Sequence, residues 1–152
     1  MRSRPSRLAT SVPGAGFTLI ELLVALVTLG ILASIALPAF FEQLARSRRT
    51  DVQAALLEDA AYLQHYYASH DAFSGSPAPQ LPFEHTPRQG AASYTIAVDV
   101  PADDPSSFLL TATRTGAMAA DGCGDFTYDH LGRRGLAAGT VASGRDAVGC
   151  WR

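Results

Sequence analysis

The residue whose chemistry stands out first is Glu21. It is the only charged side chain in residues 8–41, a run of 34 residues. A carboxylate inside an apolar span costs roughly 2.5–3.5 kcal/mol at mid-bilayer and less near an edge, so it marks a function and needs a partner. One partner is available on a condition. A cut after Gly16 would give Phe17 a free amine, four residues before Glu21 and on the same face of a helix. Cys123 and Cys150 are the only two cysteines. Their spacing is unlike the close pairs of zinc sites, which makes a disulfide the better reading; a zinc site using both thiols and a His is the alternative. The bridge would stabilise the fold by roughly 3.5 kcal/mol in the chain-entropy model. It would also place the C-terminal part in an oxidising compartment.

Little else points to reaction chemistry. His65, His70, His85 and His130 are scattered, and Asp71 beside His70 reads as a helix-end feature. No nucleophile elbow, phosphate loop or dinucleotide fingerprint is present. No catalytic residue, cofactor or metal ion is therefore expected. Residues 17–152 carry 9 Arg against 14 Asp and Glu, a balance that disfavours general nucleic-acid binding. Arg133, Arg134, Arg145 and Arg152 do lie near Trp151 in sequence, a combination that could grip DNA. Asp121, Asp125, Asp129 and Asp146 offset them one for one, so a solvated mixed-charge surface is the plainer reading.

These residues must be positioned by a few elements. Residues 1–16 are basic, then polar and small. A secretory signal has its apolar core before the cut; here the candidate cut at Gly16 precedes the apolar run and would leave it on the mature chain. Residues 22–41 are 20 residues without a charge, enough to cross a bilayer core of about 30 Å. Arg2, Arg4 and Arg7 on one side balance Arg46, Arg48 and Arg49 on the other, and only the cysteines favour an outward C-terminal side. The helical pattern continues past Phe41. Val52, Leu56, Ala60, Leu63 and Tyr67 form a stripe suited to a sheet, with Arg48, Asp51, Glu58, Asp59 and His65 expected on a solvated face. One helix from near Phe17 to near Ser69 would be about 80 Å long. Residues 74–92 read as a loop, and residues 93–100, 108–113 and 125–130 as strands. Gly132 and Gly135 suggest a turn around Arg133 and Arg134, followed by a weakly structured tail. A helix followed by an antiparallel meander is an α+β arrangement.

The block Gly16-Phe17-Thr18-Leu19-Ile20-Glu21 resembles the processing site of type IV prepilins, with Gly30 and Pro38 also at family positions. The resemblance implies that a prepilin peptidase cuts between Gly16 and Phe17 and methylates the new amine. It further implies that Glu21 pairs with a neighbouring subunit's N-terminus during assembly, and that the helix unwinds around Gly30 and Pro38 in the filament. On the residues alone, a plain signal anchor and a tolerated kink remain the alternatives. The run 121–132 and the ending Cys150-Trp151 resemble small minor pilins of the PilE type.

The resemblance implies a pilin fold: a long N-terminal helix packed on a small antiparallel sheet, with a C-terminal disulfide loop. The expected parts are a leader (1–16), a transmembrane and assembly half of the helix (17–41), an amphipathic half (42–69) and a globular head (70–152). The expected function is a type IV pilus subunit, a minor pilin without catalysis, within or at the tip of the filament. Its partners would be other pilin subunits, the peptidase and an inner-membrane assembly platform. It would be single-pass in the inner membrane with a periplasmic head, then on the cell surface. A DNA-binding competence pilin and a type II secretion pseudopilin are the alternatives.

Overall fold

The computed structural model describes residues 16–75 and 78–152. Residues 1–15, which hold nearly all of the expected leader, lie outside the described residues. Helix α1 spans Leu19–His70 and contains both Gly30 and Pro38. Its N-terminus is capped by Thr18, whose Oγ1 accepts the Glu21 N–H at 3.3 Å. It ends at Asp71, which takes a left-handed conformation (φ 55°) and donates its N–H to the Tyr67 carbonyl at 2.8 Å. The chain divides into two compact units between Ala39 and Phe40.

In the first unit the large apolar side chains are exposed, from Phe17 through Leu37. The helix is long and apolar enough to cross a membrane, and none of its most apolar window is buried within the chain. In the second unit, α1 packs on a five-stranded antiparallel meander, β1 (His85–Thr86), β2 (Tyr94–Asp99), β3 (Leu109–Arg114), β4 (Phe126–Asp129) and β5 (Arg134–Leu136), in sequential order. The register aligns Tyr94, Ile96 and Val98 with Arg114, Ala112 and Leu110, and then Ala112 and Leu110 with Phe126 and Tyr128. Alternate residues share a face, so this register puts the apolar set of three strands on one side. Val52, Leu56, Ala60 and Leu63 meet that side in a single core with Tyr94, Leu110 and Phe126. The stripe read from the sequence is thus the buried seam.

Three expectations change. The Gly132–Gly135 turn is tighter than read: Arg134 already starts β5, paired with Tyr128, because the hairpin turns over Asp129, which accepts the Leu131 and Arg133 N–H groups. The loop of residues 74–92 contains β1, too short to leave a periodic signal. The tail is also well organised. Helix α2 (Ala147–Cys150) is capped by Asp146, and Trp151 donates its indole N–H to the Gly135 carbonyl at 2.8 Å, with its ring 5.4 Å from Phe126.

The fourth correction is Asp59. Its expected solvated position is fully buried, because residues 81–88 lie over that side of α1. Asp59 Oδ1 accepts the Phe83 N–H at 2.9 Å, and Oδ2 has no hydrogen-bond partner among the described residues. Arg88 stacks on Phe83 and approaches Glu58 at 3.6 Å, closing the strap. Burial pushes the Asp59 carboxyl up to about 6; the Phe83 N–H and Arg88 oppose the rise and Glu58 adds to it. The folded state therefore holds this proton more tightly than the unfolded chain, whose aspartates titrate near about 3.9. Stability from this group is fully present below about pH 4 and is lost as pH rises through about 6. Asp59→Asn should be more stable than wild type at pH 7 by up to about 3 kcal/mol and equal to it near pH 4. Denaturant melts across this range check it; equal stabilities at pH 7 would show that the carboxylate is not desolvated.

Candidate functional site

The candidate functional parts are the N-terminal segment that carries Gly16, Phe17 and Glu21, and the contacts that hold the second unit to α1. Gly16 and Phe17 precede the first helical turn, with Phe17 79 % exposed. A Cβ at Gly16 would meet nothing within 4 Å, and the same holds at Gly30. Among the described residues, no packing requires glycine at either position. Glu21 lies in the first turn, three residues after the capping threonine, in the S/T-x-x-E pattern of a capping box. Phe17 stands outside α1, so the four-residue relation to Glu21 belongs to a helix extended toward its N-terminus. Helix α1 continues through Gly30 and Pro38. Ser34, whose carbonyl would face the missing Pro38 N–H, turns its hydroxyl to the Ile31 carbonyl at 2.7 Å.

The head is tied to α1 by polar groups that sequence reading did not single out. Arg49 is 6 % exposed and pairs with Asp121 through Nη2 and through Nε at 3.0 Å, while Nη1 reaches Glu42 at 3.2 Å. The Asp121 hydrogen bond raises the Arg49 guanidinium above its ordinary value, against the opposing effect of burial. Asp121 also accepts the Cys123 N–H at 3.2 Å. One turn along α1, Gln53 donates to the Cys150 carbonyl at 2.8 Å. Cys123 and Cys150 form the disulfide, with Cα atoms 5.7 Å apart. The thiols are therefore not metal ligands. The signal for Arg49 and Gln53 was their place on the apolar face, since both fall within a turn of Val52 and Leu56.

The arginines grouped near Trp151 in sequence divide in space. Arg133 pairs with Asp129 across the β4–β5 turn, and the Arg134 guanidinium lies 5.6 Å from the Trp151 ring. Arg145 and Arg152 instead line a cleft beside α1 with Arg46 and Arg49. Among the described residues, no three His, Cys, Asp or Glu side chains come together as a metal site.

Arg49→Met would leave Asp121 buried without its partner. Breaking a buried pair in this way costs about 3–5 kcal/mol, and Arg49→Lys should recover only part of it, because one ammonium cannot match the forked contact. Equilibrium unfolding of the detergent-solubilised chain measures both; a loss under about 1 kcal/mol for Arg49→Met would mean that water replaces the guanidinium freely.

Comparison with known proteins finds relatives of this chain. Residues 38–127, more than half of the chain, match the family described as type IV minor pilin ComP, DNA uptake sequence receptor. Fimbrial protein Q of Moraxella bovis is 30% identical over 148 residues, covering 90% of this chain and 82% of that protein. Among solved structures, a type IV pilin from Shewanella oneidensis is 24% identical, with a TM-score of 0.46 over 64% of this chain and 98% of its own. The non-core minor pilin PilV of Neisseria meningitidis is 15% identical, with a TM-score of 0.45 over 69% and 94%. On the extent of the family match and the identity to the Moraxella protein, this chain belongs to the type IV minor pilin family.

Proposed function

We propose that this minor pilin is made as a prepilin held in the inner membrane by residues 17–41, with residues 70–152 on the periplasmic side. A prepilin peptidase then cuts between Gly16 and Phe17 and methylates the Phe17 amine, and an assembly platform passes the subunit into, or to the tip of, a surface filament. The observation that carries this reading is the apolar stretch of α1, none of which is buried within the chain. Such a surface must be covered by lipid, and later by the spans of other pilin subunits. Gly16 supports recognition from outside the chain, since no packing among the described residues calls for it. The disulfide supports an oxidising location for the head. Apolar packing of neighbouring spans supplies cohesion, and Glu21 against a cut N-terminus supplies register. Unwinding around Gly30 and Pro38 belongs to the same reading, since both weaken helical hydrogen bonding. Membership of a pilus family favours this role over a secretion pseudopilin.

Glu21→Ala should be cut normally but enter filaments at least tenfold less often, as quantified by immunoblotting of sheared pili against the membrane fraction. Normal incorporation would remove this role for Glu21.

A second reading is favoured by the description of the matched family as a DNA uptake sequence receptor. In this chain it would rest on Arg133, Arg134 and Trp151, where a cation and an aromatic face sit side by side. The purified chain should then bind duplex DNA with an affinity that falls steeply with salt, and an Arg133→Gln, Arg134→Gln double variant should weaken it at least tenfold. No binding at low salt would remove the DNA reading and leave the pilus role untouched.

A further inference from the structure

Beside the first turns of α1 in the head, the helix and the C-terminal disulfide loop bound a cleft of about 360 Å³, lined by Glu42, Arg46, Arg49, Arg145, Cys150 and Arg152. Arg49 is committed to Asp121 and Glu42, and that same contact occupies the one acidic side chain of the lining. Arg46, Arg145 and Arg152 remain. None of the three forms an ion pair among the described residues. Arg145 lies 3.9 Å from the Cys123 sulfur, and neighbouring Asp146 is occupied in capping α2, accepting the Gly149 N–H at 2.8 Å. Arginines from two separate segments thus line one concavity, a composition suited to a compact anion with several oxygens.

The position along the helix selects the class of anion. Phe41 is the last residue of the uncharged run and Arg46 follows five residues later, about 7.5 Å along the axis. A bilayer's headgroup layer is roughly 5–7.5 Å deep on each side. With residues 22–41 across the core, Arg46 stands at the outer edge of that layer, where its long side chain reaches back to a phosphate. We propose that this cleft binds the phosphate of an anionic phospholipid headgroup while the subunit is in the membrane. This rests on the reading that residues 22–41 span a bilayer. On that reading the cleft opposes extraction of an unassembled subunit, and its contact is given up when the chain enters a filament.

Native mass spectrometry of the full chain in detergent, with equal phosphatidylglycerol and phosphatidylcholine, tests it. The chain should retain phosphatidylglycerol preferentially. Each arginine near an anionic surface contributes about fivefold, so an Arg46→Gln, Arg145→Gln variant should lose the preference by roughly 25-fold. Equal retention of the two lipids by wild type, or an undiminished preference in the double variant, would overturn the proposal. So would displacement of the lipid by millimolar inorganic phosphate or by a short DNA duplex, which would assign the cleft to a free phosphate or to nucleic acid. The single variant Arg46→Gln, at an exposed helix position, should lose about fivefold and guards against misfolding of the C-terminal loop. Alkaline extraction of membranes reports separately on the span: a chain released by alkali sinks the membrane reading itself, whereas one retained but without lipid preference sinks only the cleft.

Discussion

The buried pair between Arg49 and Asp121 fixes where the head sits on its helix. Replacing such a pair by well-packed apolar residues is often neutral for stability, so its value lies in geometry rather than in net energy. Asp121 holds the loop between β3 and β4 to α1 and at the same time orients the Cys123 N–H. Cys123 is bonded to Cys150, and Gln53 returns from α1 to the Cys150 carbonyl. Trp151 then closes on Phe126 and the Gly135 carbonyl. The two ends of the disulfide-closed segment are therefore fastened to the same helix face, one turn apart. Gly124 shows how closely its parts approach: a Cβ there would fall 2.5 Å from Thr140 Oγ1 and 2.7 Å from the Thr140 carbonyl oxygen.

Helix α1 answers to two different solvents. Its head portion buries Val52, Leu56 and Leu63 against the chain's own sheet. Its first portion finds no partner among the described residues, and Phe17 through Leu37 present apolar surface. A helix apolar on every side requires an apolar environment. Lipid and neighbouring pilin spans both provide one. The hydrophobic effect discriminates weakly between them, because lipid tails are as apolar as leucine. On the proposed reading this near-equality lets the subunit leave the bilayer for a filament, and the polar contacts must then decide when it leaves and how it docks.

What the sequence made legible follows the strength of its periodic signals. The long helix, its stripe at Val52, Leu56, Ala60 and Leu63, and the alternating strand around Tyr94 and Ile96 all carry many residues of one period, and each is where it was expected. β1 and β5 contain two and three residues and leave no period to read. Asp59 was misplaced because helix periodicity locates only the face turned to the sheet, whereas the strap of residues 81–88 covers a second face from a proline-rich loop. Arg49 was read as a flanking charge because its partner lies 72 residues away. A sequence can show a polar residue on an apolar face, but not which distant carboxylate answers it.

The N-terminal block is legible for the opposite reason: its chemistry is local. Thr18 and Glu21 by themselves make a helix start, and Thr18 Oγ1 takes the Glu21 N–H. That cap leaves Phe17 outside the helix. On the proposed reading, cleavage turns the Phe17 amide into a cation beside the positive end of the helix dipole, an unfavourable place unless a carboxylate answers it. For its own Glu21 to do so from one helix face, the helix extends back over Thr18 and Phe17, and the threonine cap is then given up. A neighbouring subunit's Glu21 can answer the amine with the cap intact. On that reading the cap and the internal pair compete for the same turn, and the competition favours a contact between subunits.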